Sequence, residues 1–347
     1  MKKPHIQSET IQMSDYPIFI GGYRNSGTTL LVNLLDSHPE LLVWPDESTF
    51  FYEYFPIMEL EEYSSEEKLN VATERVIGRI NLWGRNIKKK LDIEELKKEF
   101  RCAIKDQDIT PKNVLLANMK AFQRWYQPGN YPRFWVLKTA VCQAYTTEIL
   151  EWFPNAKFII VLREPKDVWA SLSNHWPREK KFFDSKKDLL QNMIENFRDA
   201  FEFSSCAYEL YGAEKIMFVH YEDIVANPVE VMKNLAEFIG IKYADSMIKP
   251  TVLGMDWYGN NRQGINFDGI SSYNTNRWKE RIDKEEAKIV EHYMSRYMIK
   301  FGYPFVFSRK ERFEAGKEHY KWFMYYHKST SKGEIGFFRD FYKLFTE

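Results

Sequence analysis

Short apolar runs of strand length alternate along this chain with longer stretches in which apolar residues recur every three or four positions. Ile18-Phe19-Ile20, Phe134-Trp135-Val136-Leu137 and Phe158-Ile159-Ile160-Val161-Leu162 have no polar face, as strands buried in a parallel sheet do not. A further strand is predicted from Lys215, ending in Tyr221-Glu222-Asp223. Helical spacing follows the first run from Thr28 and recurs over Ser65–Asn86 (Leu69, Val76, Ile80, Trp83), Ile93–Asp106 and Pro111–Gln127. It returns after Asn227-Pro228 (Val231, Leu235, Phe238, Ile239, closing at Gly240) and from Arg277 to about Lys300. Strands alternating with helices predict an α/β fold of three layers, P-loop-like, with a central parallel sheet between helices.

Two strand-to-helix junctions carry candidate chemistry. In the first, Ile18-Phe19-Ile20-Gly21-Gly22 leads through Tyr23-Arg24-Asn25-Ser26 to Gly27-Thr28-Thr29 and a helix. Such a loop binds an anion with its own N–H groups and with the positive end of the following helix. Thr28 stands where a nucleotide triphosphatase has the lysine that reaches the β/γ-phosphates, and the nearest cation is Arg24. The alternative is a glycine turn in which Thr28 and Thr29 do no more than cap a helix. In the second junction, Arg163 lies at the carboxyl end of a predicted strand, where open α/β sheets place ligands. Pro165 suits a first helical turn, and Ser171 follows about two turns later. Here the plainer reading is a surface arginine.

Ser26-Gly27-Thr28-Thr29-Leu30-Leu31, followed by Leu34-Leu35-Asp36-Ser37-His38-Pro39-Glu40, resembles the 5′-phosphosulfate loop of sulfotransferases that use 3′-phosphoadenosine 5′-phosphosulfate (PAPS). The resemblance is strongest to their bacterial, Golgi carbohydrate and tyrosylprotein branches. Arg163-Glu164-Pro165-Lys166-Asp167 with Ser171 is similar to the same family's 3′-phosphate site, and Tyr221-Glu222-Asp223 and Arg277-Trp278-Lys279 match later strings. The resemblance implies PAPS as cofactor and adenosine 3′,5′-bisphosphate (PAP) as product, with no metal. It assigns Arg24, Asn25, Ser26, Gly27, Thr28 and Thr29 to the 5′-phosphate, and Arg163 and Ser171 to the 3′-phosphate. Tyr221 would lie near the adenine, and Ser272 in a loop closing over the phosphates. Asn25 stands where the family usually has Arg or Lys, with Arg24 one place earlier, and whether Arg24 replaces the missing cation is left open.

Sulfuryl transfer needs a base for the acceptor and cations for spread negative charge. Cytosolic members of the family use a histidine in a K-T-H string; here the string is Lys138-Thr139-Ala140. Other branches place a glutamate shortly after H-P-E, which makes Glu47 the candidate base and Asp46 the fallback. The base would be stronger if burial among Trp44, Phe50 and Phe51 raised its pKa. Lys138, ending a predicted strand, is the candidate cation for the leaving phosphate. The resemblance implies a hydroxyl acceptor, less readily an amine; polysaccharide, glycolipid, small metabolite and peptide tyrosine all remain open, with a carbohydrate or small metabolite favoured.

The 347 residues divide into a polar segment 1–15, a domain 16–304 with a helical insertion over about 55–130, and an aromatic-rich extension 305–347. Trp125, Tyr126 and Tyr131 of the insertion, and the segment Trp176–Phe183, are candidate rims of an acceptor pocket. Forty-nine basic residues balance 49 acidic ones, so no global field favours nucleic acid. Cys102, Cys142 and Cys206 form neither a zinc nor a disulfide pattern. With no apolar leader and no membrane-length stretch, a cytoplasmic enzyme is expected. The extension leaves open packing on the domain, a homo-oligomer contact or a membrane-surface contact. Two rival readings stand beside the sulfotransferase: a nucleotide kinase or triphosphatase of the same fold class, and a non-catalytic nucleotide-binding module.

Overall fold

The computed structural model describes residues 16–58, 60–78, 80, 91–259 and 265–329. The segment 1–15, Trp83 and the extension beyond residue 329 lie outside the described residues. Five parallel strands, β1 (Pro17–Gly21), β2 (Leu41–Glu47), β3 (Phe134–Lys138), β4 (Lys157–Leu162) and β5 (Ile216–His220), form one sheet in the order β2-β3-β1-β4-β5. Helices flank it, giving the expected α/β architecture. Phe19 of central β1 is fully buried, stacked on Phe158 of β4 and edge-on to Trp135 of β3. Burying one such ring contributes roughly 1.5–3 kcal/mol.

The strand order sets the site. β1 and β4 lie side by side, so the loops leaving Gly21 and Leu162 emerge together at the carboxyl edge. On the other flank, β2 and β3 lose register between Val43 and Glu47: four residues of β2 advance against two of β3. Pro45 lies in this stretch and has no N–H for a ladder, which favours an irregularity. The slip leaves Glu47 paired with Lys138.

Several predicted elements differ in detail. The Ser65–Asn86 helix is α-helical over Ser65–Val71 and π-helical over Ala72–Ile77. The predicted strand at Lys215 ends at His220, and Tyr221-Glu222-Asp223 opens a short helix, Tyr221–Ala226. The run from Arg277 to Lys300 is three helices, Trp278–Arg281, Lys284–Tyr293 and Ser295–Lys300. Asp283 breaks it by starting a new helix in a capping box with Glu286. The longest helix among the described residues, Lys186–Tyr211, was not among the predicted elements. The Arg309–Ser329 helix packs on Lys284–Tyr293, where the Tyr293 hydroxyl donates to the Gly316 carbonyl. No described helix is long and apolar enough to cross a membrane.

Candidate active site

The first loop turns through three residues of positive φ: Gly22 (131°), Asn25 (63°) and Gly27 (97°). A Cβ on Gly22 would lie 2.5 Å from the Val161 carbonyl oxygen, and one on Gly27 would lie 2.3 Å from the Tyr221 ring. Asn25 tolerates its conformation better than most residues with a side chain. No side chain caps the Thr28–Leu35 helix, so the capping alternative for Thr28 and Thr29 is not what the structure has. Its first N–H groups are free for an anion. Thr28 and Ser26 are buried, while Thr29 and Gly27 are partly open. Arg24 is turned to the Trp176–Glu179 helical turn, pairing with buried Glu179 at 2.9 Å. The predicted acceptor rim at 176–183 therefore meets the loop through this ion pair.

Arg163 links three segments. Its guanidinium donates to the Asn25 carbonyl (2.5 Å) and the Asn274 carbonyl (2.6 Å), and stacks 4.5 Å from the Tyr221 ring centroid. Tyr221 lies against Gly27 on one side and Arg163 on the other, and burial pushes its phenol pKa up. Ser171 is half-buried on the Pro165–Ser173 helix. Ser272 is exposed in a 3₁₀ turn, Ser272–Asn274. Two neighbours in the R-E-P-K-D string act on that turn and the helix beyond it. Asp167 accepts from the N–H groups of Asn276 (2.7 Å) and Trp278 (2.9 Å). Lys166 pairs with Glu291 at 2.8 Å, both fully buried, and Glu291 also accepts from the N–H groups of Val306 and Phe307. Sequence reasoning did not single out Asp167, Glu291 or Arg277. Arg277 stands in the R-W-K string, which was the available signal; its guanidinium lies 4.5 Å from the Tyr273 ring centroid.

Among the described residues, Asn25 Nδ2, Arg163 Nε and Arg277 Nε are buried donors with no hydrogen-bond partner. An unmatched buried donor is costly, and a phosphate oxygen is the acceptor this set would satisfy. The uncapped helix and the glycine cradle fit the same ligand.

Glu47 and Lys138 meet at 2.9 Å between Lys138 Nζ and Glu47 Oε2. Lys138 Nζ also donates to Thr29 Oγ1 at 3.3 Å, so the lysine bridges carboxylate and phosphate loop. Glu47 Oε1 accepts from the Ala140 N–H (2.9 Å) and the Tyr52 hydroxyl (3.2 Å). Asp46 instead accepts from the Glu47 N–H. The rise in the Glu47 pKa that would strengthen this base does not occur. Burial does push it up, but the Lys138 ammonium, the Ala140 N–H and the Tyr52 hydroxyl together hold it below its ordinary value. Of the other candidate rim, Trp125 and Tyr126 stack on buried Phe122 while Tyr131 is exposed.

Residues 17–245 match the family model described as the Sulfotransferase family, and the chain belongs to that family. It is 24% identical over 252 residues to protein-tyrosine sulfotransferase 1 of Danio rerio, covering 70% of this chain and 59% of that protein. To protein-tyrosine sulfotransferase 2 of Gallus gallus it is 24% identical over 235 residues, covering 67% and 53%. The chain thus spans little more than half the length of these relatives. Among solved structures, the sulfotransferase domain of the Synechococcus PCC 7002 olefin synthase superposes with a TM-score of 0.56 at 17% identity. That match covers 84% of this chain and 95% of the domain, and it supports the fold.

Proposed function

We propose that this chain transfers the sulfuryl group of PAPS to an acceptor hydroxyl, with Glu47 as general base and Lys138 as the cation at the transferred group. The observation that carries the reading is the meeting of Glu47, Lys138 and Thr29 at the mouth of an uncapped, glycine-cradled helix. When bound, PAPS supplies an activated sulfuryl group whose departure leaves PAP.

In this reading the phosphate loop and the unpaired N–H groups of the Thr28 helix hold the 5′ end, with the hydroxyls of Ser26, Thr28 and Thr29. Arg163, Arg277, Ser171 and Ser272 serve the 3′-phosphate, and Tyr221 the adenine side. Asn25 Nδ2 supplies a neutral donor where the family has a cation, while Arg24 holds the loop to Glu179. Lys138, turning from Glu47 toward the loop, meets the charge growing on the leaving phosphate. That turn releases Glu47 Oε2 to take the acceptor's proton.

For the acceptor, the sequence expectation was a carbohydrate or small metabolite. Two observations favour a phenol. The curated relatives are named for protein tyrosine. A carboxylate held below its ordinary pKa is also a weak base, suited to a phenolic hydroxyl of pKa about 10 rather than an aliphatic one.

The test is incubation with PAPS and a panel of tyrosine peptides, phenols, sugars and amines, followed by mass spectrometry for the gain of one SO₃. Glu47→Gln should bind PAP like the native chain yet lose turnover; native turnover in this variant would sink the assignment. PAP, and not ATP with Mg²⁺, should protect the chain from thermal unfolding.

A further inference from the structure

We infer that Tyr52 is a positioning residue for the reaction: its hydroxyl and the Ala140 N–H occupy Glu47 Oε1, making Oε2 the atom that accepts the acceptor's proton. The inference rests on Glu47 as base and goes on to say which oxygen acts and what aims it.

The geometry starts in the backbone. Directly after β2 the chain winds into one π-helical turn, Phe50–Tyr54. Turns of this kind occur often at functional sites. The turn is seated by Phe50, Phe51 and Tyr54, all nearly fully buried in an aromatic cluster. With its neighbours fixed, Tyr52 is brought back over the end of β2, where it is 7% exposed and donates to Glu47 Oε1 at 3.2 Å. Burial, then the Glu47 charge, pushes the Tyr52 pKa far up, so it stays a donor across the working range.

The two carboxylate oxygens therefore differ. Oε1 has two donors belonging to fixed parts of the fold, a backbone amide and a buried phenol. Oε2 has the Lys138 ammonium, which is shared with Thr29 on the phosphate loop. A ligand that draws Lys138 toward the loop uncovers Oε2 and leaves Oε1 filled. Without the Tyr52 hydroxyl, Oε1 keeps one donor, the carboxylate can rotate, and the distinction between its oxygens is lost.

Tyr52→Phe keeps the ring in its packing and removes the donor. Two readouts separate aiming from packing. The first is ¹³C NMR titration of the Glu47 carboxyl in the ligand-free protein, which needs no turnover. The Glu47 pKa should rise in Tyr52→Phe, because a hydrogen bond to the charged form has gone. The second is kinetic: kcat should fall about tenfold while KM for PAPS stays within about twofold. In a Glu47→Gln background the same change should cost less than about twofold more, since Tyr52 acts through Glu47. Unchanged Glu47 titration, or an equal kcat loss in both backgrounds, overturns the inference. If the native chain transfers sulfuryl to no acceptor, the proposed function fails, and the titration still decides whether Tyr52 sets the carboxylate.

Discussion

Gly27→Ala tests the phosphate loop at its tightest point, and Gly240→Ala calibrates it. Both glycines are left-handed, with φ 97° and ψ 10° at Gly27 and φ 92° and ψ 34° at Gly240. An alanine in such a conformation costs roughly 1–2 kcal/mol. They differ in what a Cβ meets: nothing within 4 Å at Gly240, but the Tyr221 ring at 2.3 Å at Gly27. Tyr221 is 5% exposed, so the ring has little room to retreat, and overpacking of this kind adds about 1–3 kcal/mol. The expected losses are about 2–5 kcal/mol for Gly27→Ala and about 1–2 for Gly240→Ala. At about 2 °C per kcal/mol for a chain of this size, melting should fall by roughly 4–10 °C and 2–4 °C respectively. The ring also carries Arg163, so its displacement should disturb both proposed phosphate sites at once. Calorimetry should show PAP affinity down by more than about tenfold in Gly27→Ala, a loss above about 1.4 kcal/mol, and unchanged in Gly240→Ala. Equal melting losses with unaltered PAP affinity in both variants would refute the reasoning.

Lys138→Ala should lower turnover by about 100-fold or more, read in single-turnover kinetics. It should also raise the Glu47 pKa by removing an ammonium that lowers it, so the acid limb of kcat/KM, below 4.5 in the native chain, moves up. The same depressed pKa means that Glu47 stabilises the fold above about 4.5, a contribution lost as pH falls through the folded value. Asp167→Asn leaves one acceptor oxygen for two N–H groups, so residues 272–278 should exchange amide hydrogen faster, with stability down by about 1–3 kcal/mol. His319 is buried with both ring nitrogens unpaired among the described residues; burial, then Lys187 and His292, lowers its pKa to about 4. The unfolded chain therefore takes the proton first, and stability should fall as pH drops from about 6.5 toward 4. His319→Leu should flatten the melting temperature across that range, and an unchanged slope would count against the assignment.

What could be read in the sequence was local. Gly22 and Gly27 announced a cradle because only certain backbones bend that way, and Arg163-Glu164-Pro165 announced a strand end because proline suits a first helical turn. The pairing of Glu47 with Lys138 was legible only as two separate candidates. It depends on the slipped register between β2 and β3, a property of two strands 91 residues apart in the chain. The direction of the Glu47 shift was not legible for the same reason. Its aromatic neighbours in sequence suggested burial, while its donors, Lys138 and the Ala140 N–H, come from β3 and the loop after it. Asp167 and Glu291 were passed over because a buried acid accepting backbone N–H groups looks, in sequence, like any charged residue on a helix.

The family match stops at residue 245, yet the contacts that hold the proposed 3′-phosphate site do not. Arg163 is aimed by a carbonyl at Asn274, Asp167 holds Asn276 and Trp278, and Lys166 pairs with Glu164 and with Glu291, which in turn accepts from the N–H groups of Val306 and Phe307. A fragment cut at residue 245 would keep both strings, Ser26–Thr29 and Arg163–Ser171, yet lose Glu291 and leave buried Lys166 with Glu164 alone, at 3.1 Å. The packing around Arg163 and Lys166 thus reaches beyond the extent of sequence likeness, through an ion pair spanning 125 positions.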